Sequence, residues 1–274
     1  MRLDHQALAP VRDVRLEQVT AGDWATRAGR LWERPDELIE FLRGNTNHLD
    51  AAEALHWDGL LTPGARVLDL GCGAGWLTAM LSTREEVAEV IAMDGSPHLL
   101  ENVLPGVLEI LGGRAEVVER VCGSFTPLPL DDSSVNLVVM GSAFHHSDSP
   151  DALLDELARV LARGGAVALV NETPWRRLAM ANLALRTIVV TALNLLGSDR
   201  IRRIPGHLAS SHAVYDDVLG DRAYTLAQWR DLARRHAFEL EVRDSGLYPY
   251  KRAFRAPSLL EGKLAHLILR PRGA

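Results

Sequence analysis

The sequence predicts an α/β fold: a doubly wound, mostly parallel sheet with an antiparallel C-terminal edge. Three observations carry this. Apolar strand-like runs alternate with helix-like segments across residues 65–173. A glycine turn, Gly71-Cys-Gly73-Ala-Gly75, joins the first strand to its helix. After residue 223 the order becomes one helix and two strands, as an antiparallel edge pair needs.

Residues 1–64 read as a helical leader packed on the sheet's ligand edge. Pro35 to Leu42 sets Leu38, Ile39, Phe41 and Leu42 among charges, which predicts a helix. Leu49 to Leu61 also has helical spacing, and Pro63-Gly64 ends it. In the core, 65–174, the expected order is strand Val67–Leu70, helix Trp76–Ser82, strand Val87–Met93 and helix Pro97–Leu111, bent near Pro105-Gly106. Strands Ala115–Val121 and Val135–Met140 follow. The second is so apolar that it should be central. Helix Pro150–Leu161 then leads through Gly164-Gly165 into strand Ala166–Asn171. Residues 175–222 read as an apolar helix, Leu178–Leu196, with a polar lid insertion behind it. The helix approaches the ~20 residues of a membrane span, but Arg186 near its centre is costly in a bilayer. A lid, a dimer surface or a membrane-touching helix all fit it, and stable membrane insertion is not expected. Residues 223–274 complete the sheet with helix Leu226–His236, N-capped by Thr225, and strands Phe238–Arg243 and Lys263–Leu269.

The 274 residues allow one large domain with additions, and the net charge of −6 gives no general drive toward nucleic acid. Basic stripes interleaved with aromatics are absent. Cys72 and Cys122 make no disulfide or metal spacing, and no His/Asp/Glu group has metal-ligand spacing. The first residues lack the apolar run of a signal peptide, so a cytoplasmic enzyme is expected.

A strand that turns through glycines into a helix suits a nucleotide-like cofactor. A dinucleotide site wants G-x-G-x-x-G/A, but Trp76 stands where the third glycine should be. That bulk argues against a nicotinamide-dependent oxidoreductase. The pattern is instead D-x-G-x-G-x-G, starting at Asp69. Asp94 ends the second strand, where a carboxylate can accept both hydroxyls of a ribose. Cys122-Gly123-Ser124-Phe125 follows the third strand, with a backbone N–H and an aromatic face suited to adenine.

Four features in order now resemble the class I S-adenosylmethionine-dependent methyltransferases. They are VLDLGCGAG at 67–75, Asp94, LPLDDSSVNLVVM at 128–140 and ELARVLARGGAVAL at 156–169. The resemblance implies a seven-stranded Rossmann-like sheet whose last strand is antiparallel. It implies S-adenosyl-L-methionine as cofactor, with Gly71, Gly73 and Gly75 bordering its methionine and ribose parts and Asp94 on the ribose. Asp69, Gly95, Ser124, Phe125 and Gly141 complete the expected cofactor-binding set. Ser124 departs from the family, where an Asp often stands, so the Phe125 N–H and apolar packing would hold the adenine.

Methyl transfer from a sulfonium is an in-line displacement with a neutral leaving group, so alignment in a dry cleft does most of the work. A base is needed when the attacking atom must lose a proton early. His145 and His146, after the fourth strand, are the candidates. Trp24, Trp32, His48, His56, His207, His212, Tyr215, Tyr248 and Tyr250 are weaker candidates for lining the acceptor pocket. The expected acceptor is a small, fairly apolar molecule, with O-methylation favoured over N- or C-methylation, in secondary metabolism. The alternatives are a non-transferring S-adenosylmethionine-binding protein and a fold relative catalysing a rearrangement.

Overall fold

A computed structural model of the chain describes residues 8–13, 34–174, 224–251 and 262–273. Eight strands form one sheet: β1 (Arg12–Asp13), β2 (Ala65–Leu70), β3 (Val87–Asp94), β4 (Val118–Cys122), β5 (Val135–Gly141), β6 (Leu161–Glu172), β7 (Phe238–Asp244) and β8 (Ala265–Pro271). Their order is β1-β4-β3-β2-β5-β6-β8-β7. Strands β1 to β6 pair in parallel, while β8 runs antiparallel to both β6 and β7. The sheet therefore has the doubly wound form with the antiparallel edge that the sequence predicts. Strand β5 lies between β2 and β6, in the interior its apolar run implied. One strand was not legible. Arg12–Asp13 pairs with Val121 and Cys122 at the outer edge, and two residues carry no periodicity to read.

Six helices cover the sheet among the described residues: α1 (Pro35–Asn45), α2 (His48–Glu53), α3 (Trp76–Ser82), α4 (Leu104–Leu111), α5 (Pro150–Val160) and α6 (Leu226–Arg235). Side chains alternate faces along each strand, and both faces are buried. Val67, Val90 and Val139 point into the core beneath α3, α4 and the leader. Leu68, Ile91 and Val138 point into the core beneath α5 and α6. Leu38, Ile39 and Leu42 place the leader on the first core, each burial worth about 1.5–3 kcal/mol. Gly106 makes room for this: a Cβ there would lie 2.4 Å from the Pro35 ring.

Local expectations hold where turn chemistry is explicit. Thr225 caps α6 in a reciprocal capping box with Gln228. Several boundaries differ, and the strand expected from Ala166 already begins at Leu161 and runs through Gly164-Gly165. The helix expected over Leu49–Leu61 stops at Glu53. The chain then turns back, with Leu60 N–H and Leu61 N–H both donating to the Trp57 carbonyl. Trp57, Leu60 and Leu61 are buried all the same, so apolar spacing survived without the helix. The helix expected over Pro97–Leu111 opens with a π turn, Leu99–Val103, before α4. Pro105 has no N–H to continue a regular ladder there. Ala115–Val117 is a 3₁₀ turn, so the third core strand begins only at Val118.

The expected helix 178–196 and lid lie outside the described residues, as do Trp24, Trp32, His207, His212 and Tyr215. Among the described residues no helix is long and apolar enough to cross a membrane. Cys72 and Cys122 are both buried and form no disulfide among the described residues.

Candidate active site

The glycine turn sits at the carboxyl end of β2. Gly71, Gly73 and Gly75 all have positive φ, at 71°, 54° and 81°. That region is costly for residues with a Cβ. Their surroundings differ. A Cβ on Gly71 would meet Ala143 at 2.9 Å and the Phe125 ring at 3.1 Å. A Cβ on Gly75 would meet Leu104 at 2.6 Å. Only Gly73 of the three faces open space. Gly141 is also closed over, with Trp76 and Leu77 packed against it. Of these glycines, the structure leaves Gly73 open. It gives Gly71, Gly75 and Gly141 close packing to perform.

The turn's N–H groups are mostly spoken for. Gly71 and Cys72 donate to the Met93 carbonyl at 2.8 and 3.1 Å, and Gly75 donates to Cys72. Gly73 N–H donates to Asp94 Oδ2 at 2.9 Å, and Ser96 N–H to Asp94 Oδ1 at 2.8 Å. Asp94 is 2% exposed. Burial pushes its carboxyl above the usual carboxylate range, against the pull of these N–H groups. Asp94 therefore clamps the turn through both oxygens. The Gly95 N–H also favours the ionised carboxylate, so a ribose diol would share these oxygens with backbone N–H groups. Gly95 lies inside this Asp94–Ser96 turn. Ser96 Oγ accepts from Leu99 N–H at 3.4 Å, near the limit for a cap.

Asp69 does not line the cradle. It is fully buried beneath the turn, where its Oδ2 accepts from Thr78 Oγ1 at 2.6 Å. Burial pushes its pKa up to about 7, with the Asp94 charge adding to the shift and the Thr78 bond opposing it. Ser124 Oγ donates to the Thr126 carbonyl at 3.1 Å, a local turn bond. Phe125 places its ring over Gly71.

The second half of the site lies at the ends of β5 and β6. A 3₁₀ turn, Phe144–His146, follows β5. Phe144 is fully buried against Tyr224 and Trp229, with ring centroids at 6.2 and 5.0 Å. That anchor holds His145 and His146 at the sheet edge, their rings 4.4 Å apart. His145 Nδ1 lies 3.0 Å from Oε2 of Glu172, whose side chain is 4% exposed. With Nδ1–H donated to the carboxylate, Nε2 is left as the basic nitrogen. His146 is close enough to Asp94 to favour that residue's ionised form.

His48 belongs to the same cluster. Burial, helped by His145, pushes its pKa down to about 4, so it is neutral at physiological pH. Asn171 Nδ2 donates to the His48 carbonyl at 2.9 Å. Asn171 and Ser142 both have positive φ, at 61° and 51°. Ser142 Oγ donates to the Asn171 carbonyl, fixing these two strand ends together at 3.2 Å. Sequence reasoning missed Asn171 and Glu172. Their only signal was two polar residues ending the apolar strand Ala-Val-Ala-Leu-Val. His56 is exposed and Tyr250 is 43% exposed, its backbone bridging Thr46 just before α2. Tyr248 offers its carbonyl to Asn47. Among the described residues no His/Cys/Asp/Glu group could hold a metal.

This edge can hold a nucleotide-like donor over Gly73 and present a hydroxyl to His145. The family model described as a methyltransferase domain matches residues 68–169. An uncharacterized methyltransferase of Mycobacterium tuberculosis is 39% identical over 131 residues, covering 46% of this chain and 47% of that protein. The match thus spans about half of that relative's length. The malonyl-[acyl-carrier protein] O-methyltransferase of Methylococcus capsulatus is 35% identical over 199 residues, 65% of this chain and 70% of that protein. The solved structure of the [4+2]-cyclase SpnF is similar with a TM-score of 0.55 and 18% identity, over 87% of this chain and 77% of that one. That likeness concerns the fold alone. Glycine turn, strand-end Asp94, sheet order and relatives converge: the chain belongs to the class I S-adenosylmethionine-dependent methyltransferase family.

Proposed function

We propose that this chain transfers a methyl group to an oxygen atom of a small molecule with a largely apolar body. The observation that carries the reading is the 3.0 Å contact between His145 Nδ1 and the buried Glu172 carboxylate. When bound, S-adenosylmethionine supplies an electrophilic methyl on a sulfonium that leaves as a neutral thioether. Gly73 and Asp94 hold it, with Gly71, Gly75, Gly95, Ser124, Phe125 and Gly141 shaping the cradle around it and Asp69 supporting the turn from below. His145 accepts the acceptor hydroxyl's proton on Nε2 as the oxygen–carbon bond forms. Glu172 orients the ring and stabilises the imidazolium that results. His146 shapes the pocket beside it. Such positioned bases contribute about 10²–10⁴ in rate.

The same reading places the enzyme in the cytoplasm and its acceptor in secondary metabolism. The test is a screen of fractionated metabolite extracts with methyl-labelled donor. Label is expected on oxygen of a small molecule, without added metal. Tight S-adenosylhomocysteine binding with no labelled product from any fraction would favour a binding protein. Product formed with the donor unconsumed would favour a rearrangement.

A further inference from the structure

Several buried side-chain polar atoms have no partner among the described residues. They include His48 Nδ1, Asn171 Oδ1 and Glu172 Oε1. One network links them. Asn171 Nδ2 donates to the His48 carbonyl, His48 senses His145, and His145 bonds Glu172 Oε2. The second polar atom of each side chain amide or carboxyl group is therefore already committed. Because Asn171 Nδ2 faces a carbonyl, the atom left over is its oxygen, an acceptor. Glu172 likewise leaves an acceptor. Buried acceptors are costly to leave unpaired, so such a pair at a reaction edge awaits donors.

Resting on the methyl-transfer reading above, we propose that His48, Asn171 and Glu172 form the polar end of the acceptor site. Its substrate presents two neighbouring hydrogen-bond donors, as in a vicinal diol or an amino alcohol, and is not a carboxylate. One hydroxyl gives its proton to His145 and is methylated. The adjacent hydroxyl or amine donates to Asn171 Oδ1 and Glu172 Oε1. A carboxylate acceptor would bring negative charge against Glu172 and acceptors against acceptors. The partners shown for Asn171 and Glu172 are His48, His266, Ser142 and His145, with no lysine or arginine to offset that charge.

The test uses the full chain saturated with S-adenosylhomocysteine, titrated calorimetrically with catechol, phenol and benzoate. These share one apolar ring and carry two donors, one donor and none. Catechol is expected to bind at least ~10-fold more tightly than phenol, with benzoate the weakest. In Asn171→Leu the catechol preference should shrink to about 3-fold or less. Glu172→Gln puts an amide donor at the unpaired position, so benzoate should gain on catechol. The wild-type ratios stand even where a variant fails to fold. Equal binding of catechol and phenol, tightest binding of benzoate, or no binding of any ring overturns the proposal. Failure of the wild-type chain to bind S-adenosylhomocysteine would overturn the donor assignment as well, which separates the two.

Discussion

At the glycine turn, Asp94 takes a backbone N–H on each oxygen. At the end of β6, Glu172 takes one histidine nitrogen and leaves its other oxygen unpaired among the described residues. The two carboxylates are comparably buried, at 2% and 3% exposure. On the methyl-transfer reading proposed above, the first region is the donor half, whose carboxylate is satisfied through backbone. The second is the acceptor half, left incomplete so that a ligand's own groups would decide binding. Preorganisation on one side and unmet hydrogen bonds on the other suit an invariant cofactor and a chosen acceptor.

His145→Ala should separate the halves most sharply. Turnover should fall about 10²–10⁴-fold, while S-adenosylhomocysteine affinity stays within about 2-fold. Single-turnover kinetics and calorimetry read the two quantities. Unchanged turnover removes His145 as the base, and a matching loss of affinity would mean the halves are not independent.

Asp69 lies beneath the glycine turn and, as at Asp94, burial is the largest influence on its carboxyl. Its folded pKa of about 7 lies above the ordinary 3.8. The folded state therefore holds a proton that the unfolded state releases between those values. Its contribution is fully present below pH 3.8 and is lost as pH rises through about 7. Asp69→Asn should remove a loss on the order of 3–4 kcal/mol between pH 4 and pH 8. Urea unfolding at both pH values checks this, and parallel slopes for the two proteins would reject it.

Asp94→Ala should weaken S-adenosylhomocysteine binding about 10–100-fold, since it removes charge-assisted bonds and frees Gly73. Calorimetry with unchanged affinity would sink its assignment. The smallest effect is expected at the end of α6. His236 bridges Asp155 at 2.6 Å and Asp151 at 2.8 Å, tying α6 to α5. Burial lowers its pKa, but the bonds and charges of Asp151 and Asp155 outweigh this and leave it raised. Its stabilisation is thus full below pH 6.5 and is lost as pH rises through the higher folded value. Both carboxylates are well exposed, so His236→Gln should cost at most about 1 kcal/mol at pH 6 and less at pH 9. Thermal unfolding at both pH values reads it, with donor affinity unchanged.

The donor half was legible because its signals are local. Positive φ at three closely spaced positions demands glycine, and an acid ending the next strand is one register step away: Leu70 pairs with Met93, beside Asp94. What the sequence could not show is that Asp94 clamps Gly73, or that Gly75 and Gly141 are filled by Leu104 and Trp76. Those contacts depend on how helices land on the sheet. Apolar spacing likewise overran α2, because Trp57, Leu60 and Leu61 are buried by a turn as well as by a helix.

By itself the sequence determined the sheet, its antiparallel edge, the glycine turn and the family, since periodicity and turn chemistry act over a few residues. Only the tertiary structure decided the acceptor half. His145 and Glu172 stand 27 residues apart and meet because β5 and β6 are sheet neighbours, with Gly141 opposite Val170. Asn171 then takes a left-handed backbone at the strand end, and the regular pairing shifts between Leu169 and Glu172. Alternation along β6 could not say which face those two side chains would take, because one left-handed residue breaks the period that the reading depends on.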